Sequence, residues 1–94
     1  MSQDMLQGKA LTAVARDIAE GYAALNPLIM KNFTTETYRA LYQRIRKIQT
    51  EVRSEKFPFH DVESIRRRNL RLQRIHQALN VLQHAAKQRK ILLA

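Results

Sequence analysis

Residues 38–52 read YRALYQRIRKIQTEV, and Tyr38, Leu41, Ile45, Ile48 and Val52 fall at intervals of 3, 4, 3 and 4. That is the heptad spacing that lines one side of an α-helix with apolar side chains. The start of this helix is written just upstream. Thr34 stands where an N-cap accepts a backbone N–H, Glu36 complements the positive end of the helix dipole, and Phe33 and Tyr38 occupy the two positions of a hydrophobic staple. The pattern predicts a helix over about 35–55.

Downstream, KFPFHD at 56–61 interrupts the periodicity, and Asp61, or His60 with Glu63, caps a third helix over about 62–90. Its seam continues as Ile65, Arg68, Leu72, Ile75, Leu79, Leu82 and Ala86. The spacing is unbroken, but one core-type position holds an arginine. At 1.5 Å per residue this helix spans about 40 Å.

Upstream, Leu11, Val14, Ala15, Ile18, Tyr22 and Leu25 recur at helical spacing and predict a first helix over about 3–25, stopped by Asn26-Pro27. The connector LIMKN plugs the end of the core. Two Gly and two Pro in 94 residues leave few turn formers. The expected fold is all-α: one domain over 1–94, an up-down-up antiparallel three-helix bundle with a long third helix. A hairpin of the second and third helices that dimerises into four helices is the alternative.

Charge is concentrated in one part of the chain. Residues 1–38 hold three bases and four acids, whereas residues 39–94 hold fourteen bases and four acids, so the net charge of +9 lies in the second part. Such asymmetry points to an anionic partner. On the third helix Arg67, Arg71 and Arg74 share a stripe, with Arg66 and Arg68 beside it, and on the second Arg39, Arg46 and Arg53 repeat every seven residues. Cations are unfavourable near a helix N-terminus, so stability alone does not select arginines there. With the hairpin turning near residue 58, Glu51 comes level with Arg66 and Arg46 with Arg71. The second half of the arginine stripe, Ala78, Val81 and Ala85, suits the approach of the first helix through Ile18, Tyr22 and Leu25. The arginine half stays open.

Enzyme chemistry finds no footing. There is no cysteine, no phosphate loop and no nucleophile motif. His76, Asn80 and His84 form an outward ridge, but no companion ligand set marks a metal site. No cofactor or small-molecule substrate is expected, and the tyrosines Tyr22, Tyr38 and Tyr42 are expected half-buried. Absent cysteines, a charge-broken N-terminal segment and the lack of a long apolar run point to a cytoplasmic protein that neither enters nor spans a membrane.

The expected function is that of a non-enzymatic basic module binding RNA or DNA through phosphate contacts from Arg39, Arg46, Arg53, Arg66, Arg67, Arg71 and Arg74. Eleven arginines against six lysines favour paired hydrogen bonds to phosphate oxygens. Without an aromatic platform among the charges, stacking and base-specific reading are not expected. The alternative function is an adaptor or assembly subunit that meets an acidic protein through its basic face and docks through its apolar tail, Ile91, Leu92 and Leu93. A monomer is favoured over a dimer because like-charged faces repel and helix 1 can complete the bundle. Arg68 bears on that choice, since its layer must open to water or receive a carboxylate.

Overall fold

The structure is a computed structural model and describes residues 5–6, 9–56 and 61–93. Among the described residues four helices follow one another: α1 (Leu11–Glu20), α2 (Pro27–Met30), α3 (Thr35–Arg53) and α4 (Val62–Gln88). Three of them, α1, α3 and α4, pack pairwise into an all-α bundle. Ahead of α1, a minimal antiparallel pair joins β1 (Met5–Leu6) to β2 (Lys9–Ala10), with Met5 opposite Ala10.

The local signals around α3 and α4 act as their chemistry dictates. Thr34 Oγ1 accepts from the Thr37 backbone N–H at 3.1 Å, and the Phe33 and Tyr38 rings meet edge to face with centroids 5.3 Å apart. Asp61 Oδ1 accepts from the Ser64 N–H at 3.0 Å, and the Ser64 hydroxyl donates to Oδ2 at 2.6 Å. His60 lies outside the described residues.

The first helix is shorter than its periodicity suggests. The segment 3–25 is not one helix: α1 begins after the β pair and ends at Gly21, which sits in the left-handed region at φ 84°. There the Tyr22 N–H reaches the Asp17 carbonyl and the Gly21 N–H that of Ile18, a Schellman closure. Glycine adopts this conformation without steric cost. Asn26-Pro27 therefore starts a helix instead of stopping one, with Asn26 Oδ1 accepting from the Ile29 N–H at 2.9 Å and Pro27 in the first turn of α2. Tyr22, past the end of α1, is 81% exposed, and the expectation that it packs on α4 is overturned. Ile18 is buried and Leu25 packs against the core, as expected of them.

The core takes Leu11, Ala15, Ile18 and Ala19 from α1, the whole predicted seam of α3, and Ile75, Ala78, Leu79, Leu82 and Ala86 from α4. Met30 and Phe33 close one end. Tyr38 is fully buried, not half-buried; Tyr42 is partly buried and accepts from Gln83.

The hairpin register differs from a tight turn at residue 58. Glu55 pairs with Arg71, Tyr42 with Gln83, and the Phe33 carbonyl with Arg89, so α3 and α4 run antiparallel with α4 displaced about two turns further along than expected. Glu51 is therefore not level with Arg66, nor Arg46 with Arg71. Burial explains the displacement. The five apolar seam residues of α3 need apolar residues opposite, and α4 supplies them only from Leu72 onward, because Arg68 occupies the preceding layer.

The end of α1 reaches the same level as the end of α3, so these two helices run parallel with α4 antiparallel to both, and the order is not up-down-up: Glu20 approaches Arg71 and the Ala19 carbonyl approaches Arg74. Beyond that level α4 is only partly covered. No residue from Val62 to Arg74 is buried, and the first nine, Val62–Leu70, extend about 13 Å past the other two helices.

Candidate anion-binding face

The seven arginines singled out from the sequence do not form one open face, because the fold itself engages several of them. Arg71 donates from both terminal nitrogens to Glu55, at 2.9 and 2.6 Å, and lies 3.9 Å from Glu20. This fork-to-fork geometry is the strong form of an arginine–carboxylate pair. It ties the link after α3 to α4, with the last residue of α1 alongside.

Arg74 lies over the end of α1. It donates to the Ala19 carbonyl at 3.3 Å, and a side chain at Gly21 would meet its guanidinium carbon at 3.0 Å. A cation at a helix C-terminus is favourably placed against the dipole. The expectation that the arginine half of the stripe is left uncovered therefore fails for Arg71 and Arg74, both of which are partly buried.

On α3, Arg39 donates to the Leu92 carbonyl at 2.9 Å, and Arg46 sits 6.0 Å from the Tyr42 ring centroid. Arg53, Arg66 and Arg67 are exposed and, among the described residues, make no hydrogen bond or ion pair. Arg67 acts at longer range on Asp61. The two hydrogen bonds from Ser64, with a smaller contribution from the Arg67 charge, hold the Asp61 carboxyl below its usual value.

Arg68 is half-buried, and its Nε is buried without a hydrogen-bond partner among the described residues.

Two concavities flank these residues. One, of about 390 Å³, is lined by Glu20, Arg67, Leu70, Arg71 and Arg74. The other, of about 560 Å³, lies between α2 and the end of α4 and is lined mainly by Leu25, Pro27, Met30, Tyr38, Val81 and Ala85.

The tail folds back instead of projecting. Lys90 takes the left-handed conformation at φ 58°, the Ile91 N–H closes on the Ala86 carbonyl at 2.9 Å, and Ile91 and Leu93 pack against the core. Leu92 is 79% exposed.

Arg89 escaped notice in the sequence. It donates to the Phe33 and Lys31 carbonyls at 2.9 and 2.7 Å and lies 5.4 Å from the Tyr38 ring centroid, joining the end of α4 to the start of α3. Its only sequence signal is proximity to a helix C-terminus. Among the described residues no three histidines, cysteines or carboxylates gather into a metal-binding group, and no helix is long and apolar enough to cross a membrane.

Comparison with protein-family models, curated proteins and solved structures finds no match to this chain.

Proposed function

We propose that the chain is a non-enzymatic helical module that binds nucleic acid through phosphate contacts, with Arg53, Arg66 and Arg67 as the principal donors and Arg46, seven residues before Arg53 on α3, as a further one. One observation carries this reading: Arg53 and Arg66 are exposed and unpaired among the described residues and Arg67 is exposed with only its longer-range attraction to Asp61, while their neighbours Arg71 and Arg74 are engaged by Glu55 and the end of α1. Paired arginines position helices; unpaired ones near the free end of α4 remain available to an anion.

Phosphate is the fitting anion because the guanidinium fork matches its oxygens and the chain carries a large positive excess. The protein acts as a monomer, since the basic faces repel one another. The reading calls for a cytoplasmic protein. The adaptor alternative has less to rest on, because Ile91 and Leu93 pack on the core.

Fluorescence anisotropy with labelled duplex DNA and structured RNA tests the proposal. Affinity falls steeply with salt, and Arg53→Gln, Arg66→Gln and Arg67→Gln together flatten the log–log slope by roughly 3, at nearly one unit per phosphate contact. No binding to either nucleic acid at low salt overturns it.

A further inference from the structure

The outward face of α4 carries Val62, Arg66, Asn69, Gln73, His76 and Asn80, all exposed. Stepping by three or four residues, they form one line along the helix. Among the described residues none of the five polar members engages its side chain in a hydrogen bond or ion pair. No carboxylate lies on the line. The one acid in the 27 residues of α4 is Glu63, in the first turn, about one residue step, or 100°, off its axis.

Helix stability does not choose this face. Exposed helical positions favour Ala, Glu, Lys and Gln, whereas Asn is among the weaker helix formers and competes for backbone hydrogen bonds. Two asparagines, Asn69 and Asn80, stand here in helix interior.

Arginine, asparagine and glutamine are the residues whose paired hydrogen bonds distinguish guanine and adenine in the DNA major groove. A helix with its side chains is 10–12 Å across and the groove is about 12 Å wide and 8.5 Å deep. Access is the second requirement. A helix embedded in a bundle is held off the groove floor by its neighbours, but α1 and α3 end at the level of Arg71, and Val62–Leu70 extends past them. Arg66 and Asn69 lie on this free segment, with Gln73 just behind.

Resting on the nucleic-acid reading above, and reversing the expectation from sequence that bases are not read, we infer that the free end of α4 enters the major groove of duplex DNA and reads base edges through Arg66, Asn69 and Gln73, while Arg53 and Arg67 hold the flanking phosphates. Double-stranded RNA is excluded as the equivalent ligand, because its major groove is too narrow and deep for side chains to read.

The test selects sequences from a randomised duplex library with the full chain, then measures affinity for the selected and a scrambled duplex by anisotropy. A preference of about tenfold or more emerges, N7-methylation of guanine in the selected site interferes, and Asn69→Ala and Gln73→Ala each reduce the selected-to-scrambled ratio about fivefold or more. Gln43→Ala, on the exposed side of α3, leaves that ratio unchanged. Circular dichroism confirms that each variant is folded. Duplex binding without sequence preference or N7 interference overturns the inference and leaves the phosphate-binding function standing. Preference for structured RNA over duplex DNA has the same consequence. Absence of all nucleic-acid binding overturns both.

Discussion

The two ends of α4 have the same periodicity and different fates. From Ile75 to Ala86 the seam is buried against α1 and α3 and Leu72 is partly buried, while Ile65 on the same seam is 36% exposed and its off-seam neighbours Val62 and Leu70 are 66% and 43% exposed. A heptad pattern therefore marks where a partner can pack, and the lengths of the neighbouring helices decide where one does. α3 has 19 residues and α1 has 10, so a 27-residue helix outruns both. The buried half supplies stability; the free half has its side chains available for a ligand.

The largest effect that sharpens this contrast comes from truncating one leucine in each half. Leu82 is fully buried, so Leu82→Ala removes packing and leaves a cavity at a cost of about 2–5 kcal/mol. Leu70→Ala changes stability by less than about 0.5 kcal/mol. Urea unfolding monitored by circular dichroism measures both. Equal losses at the two sites would mean that the free half is packed after all.

Next in size is the junction between the halves. Arg71 and Glu55 form a two-bonded, partly shielded pair, and a double-mutant cycle with Arg71→Met and Glu55→Gln gives a coupling of about 1–2 kcal/mol. A coupling near zero would show that the pair does not hold α4 in its displaced register.

The contrast also explains how far the sequence could be read. The α3 seam, the Thr34 and Asp61 caps and the Phe33–Tyr38 staple were legible because each signal lies within five residues of its partner. The end of α1 was not, since Gly21 reads equally as a weak interior residue or as a left-handed stop, and only the closure on Asp17 and Ile18 distinguishes them. Register and arginine engagement were illegible for a different reason. They rest on pairs separated by 16 residues at Arg71–Glu55, 55 at Arg74–Ala19 and 56 at Arg89–Phe33, which no local pattern encodes. The stripe was correctly seen as basic; which members the fold uses could be read only from packing.

Arg68 lies between the two halves in character. Its Nε is buried without an acceptor, and a buried unpaired donor carries a desolvation cost of about 1–3 kcal/mol. Arg68→Leu fills the same layer without that cost and raises stability by about 1 kcal/mol, seen as a higher melting temperature, while light scattering still gives the mass of one 11.0 kDa chain. A fall in melting temperature would mean that the guanidinium contributes more through its remaining contacts than the orphaned donor costs.

The smallest effect is confined to the tip of the free half. Asp61 caps α4 as a carboxylate, and the Ser64 hydroxyl and backbone N–H lower its pKa in the folded state. A lowered folded pKa means that the ionised form favours the ordered tip. The contribution is fully present above the unfolded carboxylate value and is lost as pH falls through the lowered folded one. Asp61→Ala removes the cap at every pH, so subtracting its behaviour from that of the natural chain isolates this carboxylate from the other acids. Amide exchange of Ser64–Arg67, followed by NMR, is slower in the natural chain near neutral pH, and the difference disappears in acid. Leu79 and Leu82 exchange alike in both proteins, because the packed half does not depend on how the free end begins. A difference that spread to those buried amides would mean that the two halves of α4 unfold together.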